Sequence, residues 1–267
     1  MPWHAWLRGL WPNRPRRLLA FGVGMAKSGT HSLAALFEKH YRAAHEADSS
    51  RLIDAILDRA CGRWTDADLR DHLRRRDARL ALEVDSSQLN FFILDELLDM
   101  FPDARFILTM RDCASWLDSL INHALSRTPT PGWVRLREHR FAIPGTAHST
   151  AELCLAKRGL YTLDGYLRYW TRHNATVLER VPKPRLLIVK TREIAARGAD
   201  IADFLGIAPS TLHPAAAHSN RARQRYDMLA RLPQAHLALK VQEHCGPLMQ
   251  RFFPQEYAQL LSAARAA

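Results

Sequence analysis

Four short apolar runs, each set among helical patterns, restrict this chain to a small set of folds. Leu18–Val23 (LLAFGV), Leu80–Val84 (LALEV), Arg105–Met110 (RFILTM) and Arg185–Val189 (RLLIV) are five or six residues long. That is short for a helix and right for a strand buried on both faces. Between them lie segments of helical period: about Thr30–His40, with Leu33, Leu36 and Phe37 on one face; Arg51–Ala60, capped by Ser49 or Ser50 and stopped by Gly62; Asp66–Arg76; and Leu89–Phe101, ended by Pro102. The third run leads into a helix over Cys113–Ser126. The fourth follows a helix over Tyr161–Arg180 and precedes one over Ile194–Leu205. Tyr41–Ala44 reads as a further short strand, and two helices close the chain after a loop over His213–Arg225. This alternation predicts an α/β fold in three layers, a mostly parallel central sheet flanked by helices. Ligands of such sheets bind at the carboxyl ends of the strands, which gathers the loops after Val23, Val84, Met110 and Val189.

The length of 267 residues suits one domain over 1–267, with 1–17 as an N-terminal extension that mixes Trp3, Trp6 and Trp11 with arginines. Residues 127–160 read as a cover over an acceptor site. Within them Thr128–Thr150 holds Pro129, Pro131, Gly132, Pro144 and Gly145 and shows no period. The formal charge of +11 favours anionic partners. Charge alone does not choose among a phosphorylated cofactor, an acidic polymer, nucleic acid and an anionic membrane. No nucleic-acid module is visible, so nucleic acid is not expected as a partner. The four cysteines are widely spaced, with no CxxC pair and no Cys/His cluster at metal spacing, so free thiols and no metal are expected. No run of 18 apolar residues occurs, and the N-terminal apolar stretches are too short for a signal peptide. The expectation is a cytoplasmic protein; its oligomeric state is not legible.

The first run ends in Gly22-Val-Gly-Met-Ala-Lys-Ser-Gly-Thr-His-Ser32 and opens directly into a helix. Lys27 supplies a mobile charge, Ser28, Thr30 and Ser32 supply hydroxyls, and the helix start supplies N–H groups and a positive dipole end. A multiply charged anion is the natural occupant. The order matters. A Walker A loop places Gly before Lys, as GxxxxGK[ST], whereas here Lys27 precedes Gly29. The third run ends in Thr109-Met-Arg111, with Ser119 eight residues beyond Arg111 on the next helix. Arginine is a good fork for phosphate oxygens.

These two segments resemble the sulfotransferases. The loop GMAKSGTHSL is similar to their 5′-phosphosulfate loop, PKSGTT or PRSGTT, with Ala26 in place of the first Pro. Arg111 and Ser119 match their 3′-phosphate motif in type and spacing, with Cys113 where a Pro is common. Fainter likenesses extend over residues 18–206. The resemblance implies a sulfotransferase fold of the P-loop NTPase-like kind. It implies 3′-phosphoadenosine 5′-phosphosulfate as donor, adenosine 3′,5′-bisphosphate as product, and no metal. The donor would contact Ala26, Lys27, Ser28, Gly29, Thr30, His31, Ser32, Arg111 and Ser119. A late basic loop closes over the 3′-phosphate in several members, which makes Arg221, Arg223 and Arg225 candidates.

Sulfuryl transfer needs charge stabilisation at the leaving oxygen and a base at the acceptor hydroxyl. Lys27 suits the first role. For the second, Glu46 lies at nearly the family's distance from the loop. His45 is adjacent but should face the other way on an extended backbone, and Asp85 should follow the second clear strand. The acceptor, whether glycan, peptide or small molecule, is not legible; Trp116, Trp133 and Phe141 are candidates to line its pocket, with core packing the favoured use of Trp116. The competing readings are a P-loop kinase or NTPase, for which Asp85 is the one candidate Mg²⁺ ligand, and a non-enzymatic basic protein that binds nucleic acid.

Overall fold

The computed structural model describes residues 15–218 and 225–266. In chain order the elements are β1 (Ala20–Gly22), α1 (Thr30–Phe37), β2 (Ala43–His45), α2 (Ser49–Ala60), α3 (Asp66–Leu80), β3 (Val84–Ser86), α4 (Leu94–Met100), β4 (Arg105–Met110), α5 (Cys113–Ser126), α6 (Pro131–Phe141), α7 (Leu153–Ala156), α8 (Leu163–Arg180), β5 (Leu186–Lys190), α9 (Gly198–Leu205), α10 (Gln234–Phe252) and α11 (Pro254–Ala266). The five strands form one parallel sheet in the order β2-β3-β1-β4-β5.

Alternation along the strands sorts the core into two layers. Phe21, Phe106, Leu108 and Met110 face the larger cluster, which takes in Trp116 of α5, Trp170 of α8 and Val241 of α10. Ala20, Ile107, Val84 and Val189 face the other side, under Leu33 and Leu36 of α1 and Ile201 of α9. The chain leaves β1 toward β2 on one edge and leaves β4 toward β5 on the other. The crevice between the carboxyl ends of β1 and β4 is therefore the topological switch point, where such sheets bind ligands. No helix among the described residues is long and apolar enough to cross a membrane.

Three expectations need correction. The second clear strand is Val84–Ser86, because α3 continues through Leu80 and ends with Ala81 in the left-handed region, φ 47°. Glu83 thus precedes the strand, fully buried, where the backbone N–H of Arg42 and the Arg17 guanidinium satisfy it (both 2.9 Å). Those bonds hold its carboxyl well below the usual range, at about 2, against burial. The segment Leu89–Phe101 is not one helix: a 3-10 stretch over Gln88–Ile93 comes before α4. The segment Thr128–Thr150 is not irregular throughout. It contains α6, with Pro131 in its first turn, where a missing N–H costs nothing.

Candidate active site

The loop between β1 and α1 is held from beneath. Trp116 Nε1 donates to the Ala26 carbonyl at 2.8 Å. Thr191 Oγ1, just after β5, lies within hydrogen-bonding distance of the Ser28 and Met110 carbonyls. Two residues take positive φ: Lys27 at 65° and Gly29 at 105°. At Gly24 a Cβ would lie 2.0 Å from Thr109 Oγ1, so only glycine fits against β4. Gly29 is the N-cap of α1 and offers no side-chain cap, which leaves first-turn N–H groups for another acceptor.

A cleft of about 610 Å³ opens here, within the range of small-ligand sites. Ala26, Lys27, Gly29, Thr30, His31 and Ser32 line it from the loop, Arg111 from the end of β4, and Ser119 from α5. Ser28 does not. Its hydroxyl donates to the Met25 carbonyl at 2.8 Å and meets Thr109 Oγ1 at 3.0 Å, and its N–H also points to Met25 O. The expectation that Ser28 offers its hydroxyl to a ligand is corrected: its donors are spent inside the turn.

Arg111 donates from Nε to Ser115 Oγ at 2.9 Å, and Trp170 Nε1 anchors its carbonyl at 3.0 Å. Its neighbour Asp112 caps α5 through the Ser115 N–H at 2.9 Å. Neither Lys27 nor Arg111 forms an ion pair among the described residues. Burial, with Arg111 and then Arg127 nearby, lowers the Lys27 pKa. Burial likewise lowers that of Arg111, against the pull of Asp112 and Asp118. Two partly buried cations that form no ion pair among the described residues, beside an uncapped helix start, suit an anionic ligand.

Residues 20–222 match the family described as sulfotransferase domain. The chain belongs to that family. It is 33% identical to the Ava biosynthesis cluster protein M of Aspergillus versicolor over 104 residues, 36% of this chain and 40% of that protein. The match thus spans less than half of that relative's length. Among solved structures, the sulfotransferase of Alicyclobacillus acidocaldarius aligns with a TM-score of 0.46 at 16% identity, over 85% of this chain and 95% of that one. The sulfotransferase domain of the Synechococcus PCC 7002 olefin synthase aligns at 0.39, also 16% identical, over 81% and 84%.

In this member of the sulfotransferase domain family, the three candidate bases separate. Asp85, expected after the second clear strand, is not in the cleft lining. It lies within β3, in register with Phe21, so it faces the larger core and not the cleft. There it forms a buried ion pair with Arg76 at 2.7 Å. Glu46 and His45 both line the cleft, contrary to the expectation for an extended backbone. The reason is Glu46 itself, whose φ of 52° ends the strand geometry immediately after β2. His45 Nε2 meets Thr30 Oγ1 at 3.0 Å, and burial, with His31 and Lys27 nearby, pushes its pKa down to about 4. Burial raises the Glu46 pKa, while the hydrogen bond from Gln88 and the charge of Arg140 oppose the rise.

Gln88 and Arg140 are the residues sequence reasoning missed. Gln88 Nε2 donates to Glu46 Oε1, and the Arg140 guanidinium donates to Gln88 Oε1. Trp133 lines the cleft and Trp116 packs in the core, both as expected, whereas Phe141 is buried in the core and not in the cleft lining. Arg225 is exposed and outside the cleft lining; Arg221 and Arg223 lie outside the described residues.

Proposed function

We propose that this chain moves a sulfuryl group from 3′-phosphoadenosine 5′-phosphosulfate to an acceptor hydroxyl. One observation carries the reading: a partly buried carboxylate, Glu46, shares a cleft with two cations, Lys27 and Arg111, that form no ion pair among the described residues. Lys27, Thr30, His31, Ser32 and the N–H groups of the α1 start would hold the 5′ end of the donor. Arg111 and Ser119 would hold its 3′-phosphate. When bound, the donor supplies the sulfuryl group and a phosphate as leaving group.

The chain's own residues do the rest. Glu46 takes the proton of the acceptor hydroxyl as that oxygen bonds to sulfur and the bond from sulfur to the phosphate oxygen breaks. Burial raises the proton affinity of Glu46, as a base requires, while the hydrogen bond from Gln88 and the charge of Arg140 favour its ionised form. His45, lowered to about 4 and engaged by Thr30, is the weaker base and serves better to position the loop. Lys27 neutralises charge on the departing phosphate.

The test is transfer of labelled sulfate from this donor across a panel of hydroxyl acceptors. Lys27→Ala is expected to slow transfer by about 10²–10³-fold. Glu46→Gln is expected to slow it by about 10²–10⁴-fold while adenosine 3′,5′-bisphosphate binds as before. Mg²⁺-dependent ATP binding with no affinity for the bisphosphate would sink the reading. Unchanged turnover in Glu46→Gln would remove the base and leave the class intact.

A further inference from the structure

The cleft carries more positive charge than the donor motifs use. Lys27, Arg111, Arg127, Arg137 and Arg140 line it, against the single carboxylate of Glu46. Arg137 and Arg140 come from α6, and with Trp133 they are spaced i, i+4, i+7, in one row along the helix.

Neither arginine of this row has a carboxylate partner among the described residues. The nearby acids are engaged elsewhere. Glu138, beside Arg137 in the chain, is exposed and accepts a 2.8 Å hydrogen bond from the Tyr161 hydroxyl. Glu46 is held by Gln88. Arg135, on the same helix but outside the cleft lining, does have its acid, Asp54 at 2.6 Å. Helix α6 therefore pairs an outward arginine and leaves the cleft-facing ones unpaired.

Arg140 is only 7% exposed. Its guanidinium donates to Gln88 and lies 4.9 Å from the Phe141 ring centre, and its Nε is buried without a hydrogen-bond partner. A buried guanidinium kept from direct pairing with its nearby carboxylate, Glu46, by the intervening Gln88 is costly, and a bound anion relieves that cost. Burial and the charge of Arg140 also lower the Arg137 pKa. Trp133, one turn before Arg137 on the same helix, lines the same cleft.

We propose that this face of α6 is the acceptor's anion site, and that the acceptor is a hydroxylated aromatic carboxylic acid. Its carboxylate takes the planar fork of Arg137, its ring lies against Trp133, and its hydroxyl reaches Glu46. The assignment rests on the reading of the cleft as a sulfuryl-transfer site.

The test begins with the intact chain and calorimetric binding of adenosine 3′,5′-bisphosphate. Transfer of labelled sulfate to 3-(4-hydroxyphenyl)propionate is then compared with transfer to its amide. The acid should be preferred in kcat/KM by about tenfold to a hundredfold, the scale of one charge-assisted pair. Arg137→Ala should bring acid and amide to within about twofold of each other. Arg137→Lys, which keeps the charge without the fork, should retain part of the preference, and Arg135→Ala should retain it all. A chain that binds the bisphosphate yet treats acid and amide alike, or uses neither, overturns the anion site and leaves the donor reading standing. So does an Arg137→Ala variant that keeps the preference. A chain that does not bind the bisphosphate overturns the donor reading, and the anion site with it.

Discussion

Gln88 stands between Glu46 and Arg140, its amide nitrogen donating to the carboxylate and its amide oxygen accepting from the guanidinium. A neutral side chain thus couples the two charges without letting them pair. Gln88→Leu removes both bonds. Burial still raises the Glu46 pKa, and the strongest influence opposing the rise is gone. The acid limb of the kcat–pH profile should therefore move to higher pH, with activity lost on that limb. Profiles of the two enzymes over the same range decide the matter. An acid limb that stays in place or moves to lower pH would show that Gln88 does not hold the base.

Arg111 is expected to read the 3′-phosphate and little else. Its Nε is occupied by Ser115 and its carbonyl by Trp170, so the side chain is held in place before any ligand arrives. Arg111→Ala should weaken adenosine 3′,5′-bisphosphate binding by about tenfold to a hundredfold. Binding of adenosine 5′-monophosphate, which lacks the 3′-phosphate, should change much less. Calorimetry with both nucleotides separates the cases. Equal losses would mean that the variant disturbs the loop, where Arg111 also reaches toward the Lys27 carbonyl at 3.4 Å.

The loop after β1 and the strand before Arg111 were legible because their signals are local. An apolar run stopping at glycines, or at an arginine, needs no distant contact to be read. The start of β3 was not, since α3 ends at Ala81 with a left-handed backbone that glycine usually marks. Helix α6 was hidden because its cleft face is Trp133, Arg137 and Arg140, which carries no aliphatic stripe. The misplaced β3 put Asp85 at the end of a strand, when it lies inside one, paired with Arg76. Gln88 and Arg140 had no sequence signal at all. Their contact with Glu46 exists only once the turn after β3, the end of β2 and α6 are brought together.

Gly29 is under two constraints that can be measured apart. Its φ of 105° disfavours any side chain, and a Cβ there would stand 2.5 Å from Ile194 Cδ1. Gly62 also has positive φ, 76°, but a Cβ there would meet nothing within 4 Å. Gly62→Ala should cost about 1–2 kcal/mol, from backbone strain alone. Gly29→Ala should cost more, about 2–3 kcal/mol, and should weaken bisphosphate binding by shifting the loop. Adding Ile194→Ala to Gly29→Ala should restore part of that loop's binding, though not the φ cost. Urea unfolding and calorimetry on the three variants test this; equal stability losses at the two glycines would remove the steric component.

His173 links the site's floor to pH. It is fully buried, with Nε2 donating to the Val23 carbonyl at 2.8 Å and Nδ1 accepting from the Tyr169 hydroxyl at 3.2 Å. Burial pushes its pKa down to about 3 from the ordinary 6.5, so it is neutral in the fold. The unfolded chain binds the proton that the folded chain refuses. The contribution of the neutral ring is complete above pH 6.5 and is lost as pH falls toward 3. His45 and His123, both lowered to about 4, act in the same direction. His173→Leu leaves the Val23 carbonyl without its donor and should cost about 1–3 kcal/mol at pH 7. It also removes one group that must be kept neutral, so its stability should fall less steeply than the wild type's between pH 6 and pH 4. Urea unfolding at several pH values in that window should show the gap between the two proteins narrowing. A gap that stays constant or widens would mean that His173 is not held neutral in the fold.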